Sequence, residues 1–222
     1  MSTGESTIMT ESPQEIIYGS PNLAGPAEKN AAIIHERMLS VVLKSHPASI
    51  LEVGSGRGAL GARFFASGIR YVGLEPVESE LDEARRRYPN ISFFHASCYD
   101  NAEALNLGKF DLVYSNDVIE HLYNPRQLAS FSKAHLNPGG TVVCGTPHYG
   151  SYIRNLLLSL TNRWEHHHNP LWDGGHIKFF SKKSLGVIWA DAGFGDFTWG
   201  EIGSSRFPIM PMYLYCVAHL LQ

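Results

Sequence analysis

The segment Ile50–Gly58, Ile-Leu-Glu-Val-Gly-Ser-Gly-Arg-Gly, is a short apolar run that passes straight into glycines at alternate positions, and an apolar helical pattern follows. Few folds accommodate that order. A backbone that must turn sharply and stay open to a ligand needs glycine there. A helix starting at such a turn presents unsatisfied N–H groups. A second apolar run, Tyr71–Leu74, ends at Glu75, an acid placed to hold two ribose hydroxyls. Strand, glycine turn, helix and strand-end acid together predict a nucleoside-type ligand. Gly54-x-Gly56-x-x-Ala59 with Glu75 fits a dinucleotide as well, so the loop alone leaves the cofactor open.

The 222 residues suffice for one α/β domain with its own core. A net charge of −3 and a pI near 6.4 give no electrostatic footprint for duplex nucleic acid. Cys98, Cys144 and Cys216 are odd in number, far apart and without CxxC spacing. That favours a reducing, cytoplasmic setting over a disulfide framework or a structural zinc site. Residues 1–13 are polar with no apolar run, which predicts a disordered tail rather than a signal peptide. Phe207–Leu221 is too short and Pro-interrupted to span a bilayer and reads as a core strand.

Apolar spacing predicts a leading helix over Ala27–Lys44 and strands at Ile50–Val53, Tyr71–Leu74, Ile91–Phe94, Phe110–Tyr114, Thr141–Cys144, Phe197–Ile202 and Tyr213–Ala218. Between them, Gly58–Ser67 reads as a helix with Leu60, Phe64 and Phe65 inward, and Val77–Arg87 as a polar helix. Asn124 is the expected cap of the next helix, with Pro125 first and Gln127 at the capping-box position. Asn137-Pro-Gly-Gly reads as a turn, and Ser181–Ala192 as a capped helix closed by Gly193. Alternating strands and helices mean a mostly parallel sheet covered on both faces, within a single domain over residues 14–222. Ligands then bind at the carboxyl ends of the strands. Gly54–Gly58, Glu75, Ser97–Cys98, Asn116–His121 and Pro147–Gly150 all fall at such ends. Residues 148–180 interrupt the alternation with a long aromatic, His-rich stretch, expected to be a substrate-side insertion or lid.

In motif order, roughly Leu51 to Phe194 resembles the class I S-adenosylmethionine-dependent methyltransferases. Glu52-Val-Gly-Ser-Gly-Arg-Gly is similar to their first motif and Gly73-Leu-Glu75-Pro76 to their second. Phe110-Asp-Leu-Val-Tyr-Ser-Asn-Asp-Val-Ile-Glu-His-Leu resembles their fourth, and Leu136-Asn-Pro-Gly-Gly-Thr-Val-Val the turn and strand that follow. "Ile-Glu-His-Leu" after that strand resembles the subgroup that includes ubiquinone-type O-methyltransferases. The resemblance implies a Rossmann-like three-layer sandwich, seven-stranded and mostly parallel with an antiparallel last strand. It implies S-adenosylmethionine as the cofactor. Gly54, Ser55, Gly56 and Gly58 would wrap its amino-acid end, with Glu52 orienting that end. Glu75, beside Pro76, would accept from the ribose hydroxyls. Ser97 stands where the family usually has an acid facing the adenine amine; serine would accept that bond more weakly, and the backbone of Cys98 would do the recognition instead. Asn116, Asp117 and Val118 would line the floor near the methyl group.

Methyl transfer to a small-molecule acceptor, at oxygen, is the expected activity. The sulfonium is already activated, so positioning supplies much of the acceleration. A hydroxyl acceptor still calls for a base, and His121, His176 and His148 are the candidates, with Tyr149 as an orienter. Asp117, Glu120, His121 and His176 also resemble the acid-acid-His set of ubiquinone-biosynthesis and small-RNA 2′-O-methyltransferases that hold a divalent ion; the site is read here without a metal. His166, His167 and His168 cannot all face one point in a regular element. A nicotinamide-dependent oxidoreductase and a non-catalytic nucleoside-binding module are the alternatives. Ile119-Glu-His and Pro138-Gly-Gly speak against the first, and the intact glycines with Glu75 against the second. No nucleic-acid partner and no membrane span are expected, and the chain is read as a monomer or homodimer.

Overall fold

The computed structural model describes residues 26–149, 152–167, 174–204 and 211–221. The expected tail over residues 1–13 lies outside them. The chain begins with α1 (Pro26–Leu43), β1 (Ser49–Val53), α2 (Ala59–Ala66), β2 (Arg70–Glu75), α3 (Glu78–Arg87) and β3 (Ser92–His95). It continues with β4 (Phe110–Asn116), a 3₁₀ turn at Ile119–His121, α4 (Pro125–His135) and β5 (Leu136–Pro147). After α5 (Tyr152–Leu160) and a 3₁₀ turn at Trp164–His167 come α6 (Lys182–Asp191), β6 (Phe194–Gly203) and β7 (Pro211–Leu220).

The strands form one seven-stranded sheet in the order β3-β2-β1-β4-β5-β7-β6. The pairs from β3 through β5 are parallel, and β7 is antiparallel to both β5 and β6. The chain steps outward from β1 to β3, then returns to place β4 on the other side of β1. That reversal opens a crevice between the carboxyl ends of β1 and β4, where ligands of such sheets bind.

Alternation along the strands splits the core into two layers. Met38 and Val42 of α1, Leu60 and Phe64 of α2 and Leu81 of α3 pack with Ile50, Tyr71, Leu112 and Tyr114 on one face. Leu128 and Phe131 of α4 and Leu185 and Trp189 of α6 pack with Leu51, Val53, Val113 and Phe194 on the other. The expected three-layer sandwich with an antiparallel last strand is the observed one. The free cysteines Cys98, Cys144 and Cys216 are all buried.

Several local expectations are corrected. Phe65 is 44% exposed, because the inward stripe of α2 is filled by Leu60 and Phe64. The Asn124 side chain makes no capping bond. Its backbone N–H instead donates to the Tyr99 hydroxyl at 3.0 Å, and no capping box forms with Gln127. Ser181 does cap α6 in a capping box with Ser184. Asn137-Pro-Gly-Gly is not a separate turn but the opening of the twelve-residue β5. The β4–β5 register shifts there, between Phe110 and Leu112, and Gly139 adopts φ 71°. β6 starts before Phe197, because a register shift between Gly195 and Thr198, with Asp196 at φ 53°, keeps the earlier residues in the strand.

Candidate functional site

The loop after β1 is shaped by its own backbone. The N–H groups of Gly54 and Ser55 both donate to Leu74 O at 2.9 Å, which pins the turn to the end of β2. Gly54 sits at φ 80°, and a Cβ there would fall 2.3 Å from Val118 Cγ2. Glycine is required on both counts, and Val118 from the β4 end packs directly on the loop. The N–H of Gly56 donates to Glu75 Oε2 at 2.7 Å, and that of Val77 to Oε1 at 2.9 Å. Burial still raises the Glu75 carboxyl to about 7, with those two N–H groups pulling it down. Buried Glu52 accepts from the Tyr71 hydroxyl at 2.5 Å. Burial raises Glu52 to about 8 against that bond, and the nearby Glu75 adds to the rise.

One contact of this loop has no counterpart in the sequence reading. Arg57, between Gly56 and Gly58, reaches Glu80 in the first turn of α3 with Nε and Nη2 both at 3.2 Å. Glu83 lies 3.6 Å from the same guanidinium. An arginine between the glycines and a glutamate just after Glu75-Pro76 are the only signals in the sequence, and neither specifies the other.

Beyond β3, the Ser97 N–H and hydroxyl both donate to Asp100 Oδ2, at 2.7 and 3.1 Å. His95 Nε2 lies 2.8 Å from Pro76 O and ties the ends of β2 and β3 together. Cys98 is buried, and burial pushes its thiol up to about 12, so it packs as a neutral group.

The β4 end carries the second half of the site. Asp117 adopts φ 54°, its N–H donating to Gly145 O at 3.1 Å. Asn116 Nδ2 donates to Asp117 Oδ2 at 2.8 Å. The 3₁₀ turn then buries Glu120 completely. Glu120 Oε2 accepts from Thr146 Oγ1 at 3.0 Å, and buried Oε1 has no hydrogen-bond partner. Burial, with Asp117 adding to it, raises the Glu120 carboxyl well above the usual range.

The Glu120 carbonyl also accepts from the N–H groups of Ile177 and Lys178, both at 3.0 Å. This seats residues 174–180 on the turn and brings His176 beside His121, with ring centroids 5.0 Å apart. Burial and then His176 push His121 down to about 4, against hydrogen bonds to the backbone of Gly174 and Gly175. The Tyr149 hydroxyl hydrogen-bonds His176 Nδ1. One ligand atom each from Glu120, His121 and His176 lie within 4.8 Å of one another. Carboxylate plus imidazole suits several divalent metals.

His148 joins a different group. Its N–H donates to Met212 O at 2.9 Å, and its Nε2 lies 3.4 Å from Glu201 Oε1, which also pairs with Lys182 at 2.7 Å. Tyr149, the next residue, takes the place beside His176. Past it, α5 holds no buried residue, and Ile153, Leu156, Leu157 and Leu160 are exposed. His167 is buried against Trp164, Tyr149 and Phe179, at centroid distances of 5.2, 5.4 and 6.0 Å, whereas His166 is exposed. His168 and Trp172 lie outside the described residues.

Comparison with known proteins shows which family the chain belongs to. The methyltransferase-domain family matches residues 27–196. An uncharacterized methyltransferase of Mycolicibacterium gilvum is 28% identical over 157 residues, 64% of this chain and 60% of its own length. A ubiquinone biosynthesis O-methyltransferase of Aromatoleum aromaticum is 29% identical over 175 residues, 74% of this chain and 70% of the relative. The chain thus spans less than two thirds of the first of these relatives. Among solved structures, magnesium protoporphyrin IX methyltransferase of Synechocystis PCC 6803 with bound S-adenosylhomocysteine superposes with TM-score 0.64. It is 15% identical, over 92% of this chain and 91% of that one. The glycine turn, the strand-end Glu75 and the β4 segment therefore belong to a member of the methyltransferase-domain family, a class I S-adenosylmethionine-dependent methyltransferase.

Proposed function

We propose that the protein transfers the methyl group of S-adenosylmethionine to an oxygen of a small-molecule acceptor with a flat or apolar part. The observation that carries this is the junction at Val118. That residue packs on Gly54 of the loop after β1 and stands three residues before His121, so the loop, the β4 end and the paired histidines share one rim. The relative named for ubiquinone biosynthesis is an O-methyltransferase, which supports oxygen as the acceptor atom.

In this reading Gly54, Ser55, Gly56 and Gly58 surround the amino-acid end of the cofactor, and Glu52 orients it. Glu75 accepts from the ribose hydroxyls beside Pro76. Ser97 and Cys98 meet the base, and Asn116, Asp117 and Val118 form the floor. When bound, the cofactor supplies an activated methyl group on a sulfonium. His176, oriented by Tyr149, takes the proton that the acceptor hydroxyl releases. His121, held near 4, is neutral at neutral pH and is a weak base, which suits it to orient the acceptor. Tyr149 rather than His148 completes this group. The described residues 152–167 and 174–180 lie on the acceptor side in this reading, and the exposed leucines of α5 meet the apolar part of the acceptor.

A second reading is favoured by Glu120. Its buried Oε1 lacks a partner while His121 and His176 stand within ligand reach. A divalent cation held by these three groups would polarise the acceptor oxygen. The test uses S-adenosylmethionine with a labelled methyl, offered with phenols in one arm and matched amines in another, with and without EDTA. Label on oxygen, unaffected by EDTA, is the result expected for the first reading. EDTA-sensitive labelling restored by added cation supports the second. Label on amines alone contradicts oxygen transfer.

A further inference from the structure

We propose that Arg57 is a positioning residue for the methyl donor: paired with Glu80, it holds the glycine loop on Glu75 and screens that acid from a second carboxylate beside it. This rests on the cofactor placement given above, in which Glu75 takes the ribose, and adds to it the group that keeps Glu75 charged for the task.

Two carboxylates converge on Gly56. Its N–H donates to Glu75 Oε2 at 2.7 Å. A Cβ built on it would meet Glu80 Oε2 at 3.8 Å. Glu80 stands in the first turn of α3, where a helix N-terminus favours negative charge. Its side chain is only 7% exposed. A carboxylate so withdrawn from water needs a counter-charge. Arg57 supplies it as a fork, with Nε to Oε2 and Nη2 to Oε1, both at 3.2 Å. Glu83, 3.6 Å from Arg57 Nε, is also paired with Arg86 and Arg87 and so has its own cations.

The fork also holds the loop. Backbone bonds to Leu74 O pin its start, at Gly54 and Ser55. Gly56 and Gly58 have no side chains to anchor its middle, and both have positive φ, 50° and 75°. The Arg57 side chain between them is the tie from this stretch to α3.

The charge matters because Glu75 sits close to its own titration. It is faced by Glu52 of β1, with Tyr71 of β2 beyond, by Glu80 of α3 and by His95 of β3. Burial raises its carboxyl to about 7; the N–H groups of Val77 and Gly56 pull it down, Glu80 pushes it up and His95 lowers it. A group so poised responds to any change in the charge beside it. Without Arg57, the bare charge of Glu80 favours a proton on Glu75. A protonated Glu75 gives up the charge-assisted bonds to the ribose hydroxyls. Arg57 therefore acts on the cofactor through Glu80 and Glu75.

Calorimetry of S-adenosylhomocysteine binding to the full chain, repeated from about pH 5.5 to about pH 8.5, separates this role from a merely structural one. Wild-type affinity is expected to fall as the pH drops through about 7, where the Glu75 carboxyl takes up its proton. Arg57→Ala should move that fall to higher pH, so that the variant binds about fivefold to about tenfold more weakly than wild type at about pH 7 and within about twofold of it at about pH 8.5. Glu80→Gln in the Arg57→Ala background removes the charge that needed screening. It should return the fall to the wild-type pH or below, and that recovery also shows that the loop still folds. Arg57→Lys keeps a cation without the fork, so it should keep the wild-type pH dependence with a small loss at every pH. Glu75→Gln should remove the fall altogether. Equal weakening at every pH by Arg57→Ala, or no recovery in the double variant, overturns the proposal. If the wild-type protein does not bind S-adenosylhomocysteine, or the fall persists in Glu75→Gln, the placement of the ribose on Glu75 itself falls.

Discussion

The Tyr149 hydroxyl hydrogen-bonds His176 Nδ1, and this one bond joins the chain leaving β5 to the segment that precedes α6. The same segment is held from the other side by the Glu120 carbonyl, through Ile177 and Lys178. His176 is therefore fixed by two elements that are distant in sequence, and its ring is turned toward His121. Tyr149→Phe removes the side-chain bond and leaves the backbone bonds. We expect the methyl-transfer rate to fall about tenfold, the scale of one lost orienting hydrogen bond. S-adenosylhomocysteine affinity should stay unchanged. An equal loss in rate and affinity, measured by turnover and calorimetry, would place Tyr149 in cofactor binding instead.

The glycine turn makes a second claim. Gly54 combines a φ of 80° with only 2.3 Å between a built Cβ and Val118 Cγ2. Gly54→Ala should therefore cost about 2 kcal/mol or more in stability, from backbone strain and overpacking together. Adding Val118→Ala removes the clash but not the strain, so the double variant should recover part of the loss. Urea unfolding of the four proteins in the cycle measures this coupling. Strict additivity would show that Val118 does not pack on the loop.

Proton linkage gives a third. Burial raises Glu52 to about 8, well above an unfolded glutamate. The native protein thus holds this proton more tightly than the unfolded chain does. The stability it contributes is complete below the unfolded pKa and is lost as pH rises through about 8. The cofactor-free protein should lose more stability than Glu52→Gln between about pH 5 and about pH 8, as read from urea midpoints. Equal losses in the two proteins would mean that Glu52 is solvated in the native state.

The parallel half of the sheet was legible because its strands are continuous apolar runs bounded by glycine, proline and capping residues, as at Ile50–Gly58 and Tyr71–Glu75. Where the chain bends within a strand, sequence patterning fails. Asn137-Pro-Gly-Gly has turn chemistry, yet pairing with β4 holds it in β5 through a register shift. Asn124 and Pro125 stand at the N-cap and the first position of α4 as expected, but no capping box forms, and the Asn124 N–H that the Gln127 side chain would accept from goes to the Tyr99 hydroxyl, remote in sequence. In the site, the Gly54–Gly58 loop and Glu75 came together as their spacing implies. His121 and His176 met only because Glu120 pairs its backbone with residues far along the chain. No spacing rule encodes that contact, nor the Arg57–Glu80 pair or the Ser97–Asp100 pair. Each is a tertiary meeting of polar groups that local sequence leaves free to go elsewhere.

The most direct test concerns Glu75 at the end of β2, whose carboxyl already accepts from the N–H groups of Gly56 and Val77 at 2.7 and 2.9 Å. Calorimetry should show S-adenosylhomocysteine binding to the wild-type chain, and Glu75→Ala weakening it by more than about tenfold, as expected for loss of a charged acceptor shared by two hydroxyls. Tight binding of NAD with no binding of S-adenosylhomocysteine would contradict the assignment of this rim to the methyl donor.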